Sequence, residues 1–360
     1  AKGVWRTGDT TAFIDRNIVA YRSGILLKNG HDRSTPPLPA YIVAPLIGMV
    51  SEAAGVVRFP FALFGCLTII LIVFWLWSDD AGLALWYLMG IAIIGNVSLF
   101  LFFRQCRYYS PAIFFTVATA YLYIHIKESW RQTILLSVAL LFLLLSNYMN
   151  YAALVICLVF DYLAWGRKKH PLQYGHLVFI ILSQFIVTIL VISIWNPLDT
   201  GNAEAFKSNT WVDRITLIWF NLRDINRCEF MPGLLLLLLP IVAWFKRDLW
   251  LSRGMVALMI YVVSISIFSP QLLQGALRAD VRYLSPLILL GMFLTVLILY
   301  RLFERKLWLA VALAPLVFWT NILNEACLGY AGLRSTIIAY AAELVAPLPE
   351  PYTPTAEWIN

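Results

Sequence analysis

The ten residues from Phe102 to Pro111, FFRQCRYYSP, carry the clearest chemical signal in this chain. Two arginines, Arg104 and Arg107, stand three positions apart between two long apolar runs, and Tyr108 follows at once. An arginine at the centre of a membrane helix costs about 2.5–3.5 kcal/mol on insertion-based scales, so such a pair is expected at a membrane surface or in a functional site. Paired guanidinium groups are well suited to bind phosphate, because each presents N–H donors in a planar fork.

A second group of arginines lies far along the chain, in LRADVRY. Here Arg278 and Arg282 flank Asp280, and Tyr283 opens another apolar run. Snorkelling to lipid headgroups explains any single arginine at the end of a span. Four arginines at two separate span ends instead favour one shared anion site, such as a lipid phosphate, to which Tyr108 and Tyr283 add hydroxyl donors.

The composition is that of an integral membrane protein. Of 360 residues, 61% are hydrophobic and 13% are charged, and the mean hydropathy is +0.77, whereas soluble domains carry about a quarter charged residues. Apolar runs of about 17–25 residues can cross a bilayer as helices, so an all-α polytopic membrane protein with about ten spans is predicted. The runs are Val56–Trp77, Ala81–Phe103, Ala112–Ile126, Thr133–Asn147, Tyr151–Trp165, Leu177–Trp195, Met231–Phe245, Met255–Phe268, Tyr283–Tyr300 and Leu307–Ile322.

Basic residues in alternate short connections predict the orientation of these spans. By the positive-inside rule their side is cytoplasmic, which places both arginine groups, the loop 196–230 and the tail 323–360 on the extracytoplasmic face of an inner or plasma membrane. The net charge of +7 is spread over short loops, so anionic lipids are favoured as partners over nucleic acid. The basic residues are Lys127, Arg131, Arg167–Lys169, Lys246, Arg247, Arg253, Arg301, Arg305 and Lys306.

Residues 1–55 are predicted to form an extracytoplasmic segment that precedes the first of these spans. Ala12–Leu27 has apolar residues at helical spacing with basic residues between them, which indicates an interfacial helix. Trp211–Arg227 has a similar pattern and predicts a second interfacial helix, either covering a site or serving packing alone. Because the chain starts at Ala1 and ends in a proline-rich stretch, we expect an upstream helix and a following soluble domain.

Several short motifs, in this order, resemble the GT-C glycosyltransferases, in the branch of the protein O-mannosyltransferases and the lipid A aminoarabinose transferases. They are Asp9, AFIDRNIVAYRSG, TPPLPAYIVA, RFPFALFG (Arg58 to Gly65), RQCRYYSPAIFF and VRYLSPLILL. The chain departs from the family where Thr10 replaces a glutamate, where Thr35 replaces a histidine or lysine before the diproline, and where the first helix is missing.

The resemblance implies a GT-C-type transmembrane domain over residues 56–322 and an enzyme of the cell envelope. It would transfer a sugar, with inversion, from a polyprenyl-phosphate donor to an acceptor hydroxyl on a lipid, glycan or protein. Asp9 would be the catalytic base, and Arg33 would supply the positive charge that Thr35 does not. The reaction would require no cofactor, and the sequence shows no cluster of metal-binding residues. Whether the site holds a divalent ion is left open by the sequence. The donor phosphate would be bound by Arg33, Arg104, Arg107, Tyr108, Arg278, Arg282 and Tyr283.

Two other functions stay open on the residues alone. A transporter or flippase of lipid-linked sugars usually shows an internal repeat and charged or broken helices near the midplane; the sequence predicts neither and places the charges at one surface. A noncatalytic lipid-binding scaffold would need the arginines but not Asp9. Asn147, Tyr148 and Asn150 fit a tight helical hairpin about as well as a sugar-binding rim.

Overall fold

A computed structural model describes residues 36–51, 53–127, 129–169, 172–195, 209–227, 232–271, 281–329 and 332–345. Within these ranges the regular structure is helical, without a β-strand, and one isolated antiparallel bridge joins Thr320 to Ser335. The predicted all-α class is therefore confirmed for the part of the chain that the structure describes.

Within each described range, the helices follow one another with short connections. A π-helical turn, Tyr162–Gly166, and the turn Arg167–Lys169 prolong the helix Tyr148–Asp161, and a 3-10 turn, Val281–Leu284, precedes the helix Leu287–Leu302. In chain order they are α1 Leu38–Met49, α2 Ala54–Ser78, α3 Leu83–Gly95, α4 Val97–Arg104, α5 Tyr109–Ile124, α6 Trp130–Ser146, α7 Tyr148–Asp161, α8 Tyr174–Trp195, α9 Trp211–Arg227, α10 Gly233–Leu236, α11 Leu239–Lys246, α12 Leu249–Phe268, α13 Leu287–Leu302, α14 Leu307–Trp319, α15 Ile322–Leu328 and α16 Thr336–Val345.

Four described helices are long and apolar enough to cross a membrane, namely α2, α7 with its π-helical turn, α8 and α12. The pair α3 and α4 makes a fifth if the two count as one span, and α1, α5, α6, α13 and α14 are shorter apolar helices. The chain is thus an integral membrane protein with a helical bundle. Exposed apolar residues on α8, such as Ile181, Phe185 and Ile189, form a surface suited to lipid.

The predicted run Ala81–Phe103 is broken in the structure. Helices α3 and α4 meet at an angle of 63° at Asn96, whose side chain caps α4 by accepting a hydrogen bond from the Leu99 backbone N–H at 2.9 Å. The sequence analysis predicted one continuous run here and did not foresee this bend; its prediction that no broken helix lies near the midplane stays a prediction. A carboxamide cap favours a new helix start here, because it satisfies a backbone donor that the preceding turn leaves unpaired.

Asn147 separates α6 from α7 and supports the hairpin interpretation of this segment. Its side chain caps α7 by accepting a hydrogen bond from the Asn150 backbone N–H at 3.0 Å. The Asn150 carbonyl oxygen accepts in turn from the Tyr261 hydroxyl of α12 at 2.7 Å. Both asparagines thus have structural bonds that fix the turn and join it to α12.

One end of the bundle is held together by ion pairs between helix ends. The carboxylate of Asp161 accepts two hydrogen bonds from the Arg253 guanidinium, at 2.8 and 2.6 Å, and one from the Tyr123 hydroxyl at 2.8 Å. The connections that follow α7 and α13, both predicted to share one side, therefore lie at the same end. We call this the ion-pair end, formed by Asp79, Tyr123, His125, Asp161, Asp248, Arg253 and Arg301.

The opposite end follows from the direction of the helices. Helices α5, α7 and α13 finish at the ion-pair end, so their first residues lie at the other end. The connection between α4 and α5, the 3-10 turn Val281–Leu284 and the last turn of α12 belong to this opposite end. It contains every predicted site residue that the structure describes.

Candidate functional site

The first arginine segment forms the connection between α4 and α5 at the opposite end. Arg104 ends α4, and its guanidinium donates a hydrogen bond to the Tyr340 hydroxyl of α16 at 3.2 Å. Arg107 follows a tight turn, in which its backbone N–H donates to the Gln105 carbonyl at 2.8 Å. The side chain of Arg107 is exposed and pairs with no described side chain, so it is available to an external anion.

Tyr108 joins this segment to the second one. Burial raises the pKa of Tyr108 above its ordinary value, the neighbouring hydroxyls of Tyr109 and Tyr283 raise it further, and the positive charge of Arg282 opposes the shift. The Arg282 guanidinium also lies over the Tyr283 ring, 5.5 Å from its centroid. The structure therefore brings together Tyr108, Arg282 and Tyr283, from segments about 170 residues apart.

Three predicted site residues lie outside the described residues. These are Asp9, the predicted base, and Arg33 and Arg278, both predicted at the phosphate. Their roles stay predictions.

Arg58 is a cation at this end that the sequence analysis did not assign to the site. The Cys106 thiol has its pKa raised by burial, and the charge of Arg58 opposes that shift, so Arg58 lies beside the α4–α5 connection. Gly65 explains why α2 comes so close to α4, since a Cβ atom there would lie 2.5 Å from Cγ of Phe103. Arg58 and Gly65 belong to the same RFPFALFG motif, and this motif was the sequence signal from which Arg58 could have been assigned to the site.

Helix α9 confirms the helical prediction for Trp211–Arg227 and covers part of the opposite end. Its polar residues face the protein, where Asn221 donates to the Ser266 hydroxyl at 2.8 Å and Arg214 to the Ile267 carbonyl. Asp224 is fully buried and forms a bidentate pair with Arg223, at 2.7 and 3.0 Å. The sequence analysis missed Asp224, a buried acidic residue on α9, the helix that contacts the 3-10 turn Val281–Leu284.

A polar pocket lies at the bend between α3 and α4, and none of the described residues that line it is charged. Its volume is about 520 Å³, including space open to solvent. The sequence analysis did not foresee it, because its residues come from five separate segments. The polar side chains that line it are Asn96, Asn226, Thr320, Asn321, Asn324 and Thr336.

Two apolar cavities run inside the bundle. One of about 1230 Å³ opens at the ion-pair end, and one of about 680 Å³ extends to Tyr261 and Pro286. Along α13 their lining runs from Pro286 to Arg301, a rise of about 22 Å at 1.5 Å per residue. They adjoin, because both are lined by Trp75, Ala120, Leu154, Leu290 and Phe293.

The opposite end therefore combines exposed cations, tyrosine hydroxyls and uncharged amides, and this set can bind an anion next to a polar neutral group. Among the described residues, no group of three or more His, Cys, Asp or Glu side chains is arranged to hold a metal ion. Comparisons with protein-family models, curated proteins and solved structures found no match.

Proposed function

We propose that this chain is a membrane glycosyltransferase of the GT-C type. It transfers a sugar from a polyprenyl-phosphate donor to an acceptor hydroxyl at the extracytoplasmic face. The observation that carries the proposal is the meeting of Tyr108 with Arg282 and Tyr283. Two arginine–tyrosine segments, far apart in the chain, supply donors to one place at the end of a membrane bundle, and a lipid phosphate is the ligand that fits such donors.

Each group has a role in this proposal. Arg107, Arg282 and the tyrosine hydroxyls hold the departing lipid phosphate, which stabilises the charge that develops on it. Arg58 adds a further cation from the start of α2. Asp9 accepts the proton of the acceptor hydroxyl as general base.

The proposal also covers the course of the chain through the membrane. The shorter apolar helices and the divided runs complete about ten crossings, and the opposite end faces the extracytoplasmic side. The apolar cavities along α13 offer a place for part of the isoprenoid chain, since their lining is mostly apolar and becomes charged only where the larger cavity reaches the ion-pair end.

The test is donor binding by Arg107→Ala and Arg282→Ala, with Arg131→Ala, an exposed arginine at the start of α6, as the matched control. Loss of a hydrogen bond to a charged group costs about 1.5–3 kcal/mol, so each site variant should bind polyprenyl phosphate about 10- to 140-fold more weakly. Binding is measured in nanodiscs, and unfolding temperature checks the fold. Unchanged affinity in both site variants would mean that the arginines only meet lipid headgroups.

A flippase of lipid-linked sugars is a second candidate, favoured by the 63° break between α3 and α4. Transporters place such breaks beside their substrates, and the ion-pair end shows that the charges are not confined to one surface. Reconstituted vesicles separate the two functions. A flippase moves a fluorescent lipid-linked sugar between leaflets without an acceptor, whereas the proposed transferase releases polyprenyl phosphate only when an acceptor is present.

A further inference from the structure

The pocket at the bend between α3 and α4 contains two side-chain amides with unused hydrogen-bonding groups. Asn324 is only 8% exposed, and its side chain forms no hydrogen bond with any described residue. Asn226 has a buried carbonyl oxygen that likewise accepts no hydrogen bond from the described residues. Both residues line the pocket. Buried polar groups in proteins are nearly always hydrogen-bonded, so the buried oxygen of Asn226, in a pocket that the Asn324 amide also lines, indicates a ligand.

The remaining polar residues of the pocket are held in place by the fold. The Asn321 carbonyl oxygen accepts from the Arg334 backbone N–H at 2.6 Å, and its amide donates to the Gly332 carbonyl at 3.1 Å. Asn96 caps α4. The pocket is thus a built cavity, in which fixed neighbours surround Asn226 and Asn324.

We propose that this pocket binds a neutral sugar. A side-chain amide both donates and accepts hydrogen bonds, as sugar hydroxyls do, and the described lining holds no charged side chain that would favour an anion or cation. The apolar residues Phe318, Met292 and Pro232 add surface for the hydrocarbon face of a sugar ring. Part of the space is open to solvent, so the pocket is reached from the surface.

The sugar pocket adjoins the predicted phosphate site. The assignment of its sugar to the transfer reaction rests on the proposed function. Helix α4 begins after Asn96 and ends at Arg104, which separates the two by about 12 Å. Helix α16 contributes Thr336 to the pocket and, one turn later, Tyr340 to the bond with Arg104. The pocket therefore holds a sugar of the reaction, belonging to the donor or to the acceptor.

The first experiment measures sugar binding directly by saturation-transfer NMR on the protein in nanodiscs, with glucose, galactose, mannose and the anionic glucuronate. Wild type should give signals from at least one neutral sugar and none from glucuronate. Asn324→Leu and Asn226→Leu should lower that signal at least tenfold. Thr119→Val is the control, because it removes a buried polar group, a hydroxyl without a described partner, that lies outside the pocket. It should bind as wild type does.

The second arm identifies the source of the sugar. If the donor sugar occupies the pocket, Asn324→Leu binds a polyprenyl-phosphate sugar more weakly but polyprenyl phosphate itself as wild type does. If the acceptor sugar occupies it, both affinities stay unchanged while free-sugar binding is lost.

Two results would overturn the inference: no signal from any neutral sugar with wild type, or undiminished signals in both leucine variants. Should these variants fail to fold, Thr336→Val serves instead, since it removes a pocket hydroxyl whose bond to the Gly95 carbonyl is a long 3.4 Å. An unchanged signal in that variant also counts against the pocket. Neither failure would change the weaker polyprenyl-phosphate binding expected of Arg107→Ala and Arg282→Ala, so failure of this inference is distinguishable from failure of the proposed function.

Discussion

Arginine serves two different purposes at the two ends of this bundle. At the ion-pair end, Arg253 forms a bidentate pair with Asp161, and Arg301 bonds to Asp248 at 2.7 Å, so these cations are neutralised by partners within the protein. At the opposite end, Arg107 is exposed without a described partner. A cation that is already paired stabilises the fold, whereas one without a partner can bind a ligand.

The paired arginine can be tested by a double-mutant cycle on Asp161 and Arg253, whose side chains are 14% and 13% exposed. Removing one partner of a buried ion pair costs about 3–5 kcal/mol, because the other charge is left uncompensated. Arg253→Leu should therefore destabilise more than Asp161→Leu combined with Arg253→Leu. Unfolding of the detergent-solubilised protein measures this, and simple addition of the two single losses would contradict a coupled pair.

Asp9 is predicted to be the base, and asparagine separates that role from helix capping. Asparagine caps a helix about as well as aspartate does, but it cannot accept a proton. Asp9→Asn should remain folded and bind donor while turnover falls by about 10²–10⁴-fold. Asp224→Asn is the contrasting variant, expected to lose stability because it breaks the ion pair between the buried Asp224 carboxylate and Arg223.

Turnover is measured with a lipid-linked sugar that the parent protein accepts. Wild-type turnover in Asp9→Asn would leave the proposed mechanism without its base. A large loss of turnover in Asp224→Asn at unchanged stability would move that role to the buried carboxylate of α9.

The arginines of the predicted site are conspicuous in the sequence because arginine is rare at the ends of apolar runs. Asn226 and Asn324 carried no such signal. A single asparagine between apolar residues has no spacing that distinguishes it from a cap, and only the fold places these two amides at one pocket. Arg58 stood in a recognised motif, but nothing in the sequence placed it beside Cys106.

At the scale of single elements, α9 shows what periodicity alone leaves open. The spacing predicted a helix, and the structure confirms it. Its apolar residues Trp211, Ile215 and Trp219 are exposed, however, while Asn221 and Asp224 are buried against the bundle. In a soluble protein the apolar side would pack inward. Beside a bilayer the outward side can meet lipid, and tryptophan is enriched at that depth.

Hydropathy failed to predict the break between α3 and α4 for a related reason. Hydropathy averaged over a window of residues hardly changes when one of them is an asparagine. A single asparagine that caps a turn is nevertheless enough to start a new helix. The close approach of α14 at this point adds a second constraint. A Cβ atom at Gly95 would lie 2.5 Å from the Trp319 ring and 2.7 Å from the Phe318 carbonyl oxygen.

Two glycines in α3 make a matched test of that constraint. Gly95→Ala must displace the Phe318 backbone, so we expect it to destabilise the protein by about 1–3 kcal/mol. Gly90 is also helical, but a Cβ atom there would meet nothing within 4 Å, so Gly90→Ala should stabilise by about 0.5–1 kcal/mol. The two variants are compared by unfolding in detergent. Equal changes in the free energy of unfolding would mean that contact with α14 does not constrain the bend between α3 and α4.

At the scale of the whole molecule, the bundle has two chemically distinct ends with apolar cavities between them. The ion-pair end joins α2, α5, α7, α12 and α13 through charged side chains. The opposite end collects exposed cations and uncharged amides. Composition alone predicted a helical membrane protein, but the pairing of helix ends depends on contacts between distant segments.

The orientation of these ends in the membrane is tested by cysteine labelling. In a variant without the five native cysteines, single cysteines replace Lys168, Arg305 or Lys207. The contacts of Asp161 with Arg253 and of Asp248 with Arg301 hold the ends of α7 and α13 together, so positions 168 and 305 should respond alike. Basic connections are retained in the cytoplasm, and both positions should be protected from an impermeant maleimide in intact cells. Position 207, in the loop predicted outside, should be labelled.

Permeabilised cells provide the control, since all three cysteines should then react. Labelling at 168 and 305 with protection at 207 would mean that the proposed phosphate site faces the cytoplasm. That result would contradict a transfer reaction at the extracytoplasmic face. Different results at 168 and 305 would contradict the ion-pair end itself. Because two ion pairs at 2.6–2.8 Å join the ends of α7 and α13 through the start of α12, these helix ends lie on the same side of the membrane. Three positions therefore suffice to fix which side carries Arg107 and Arg282.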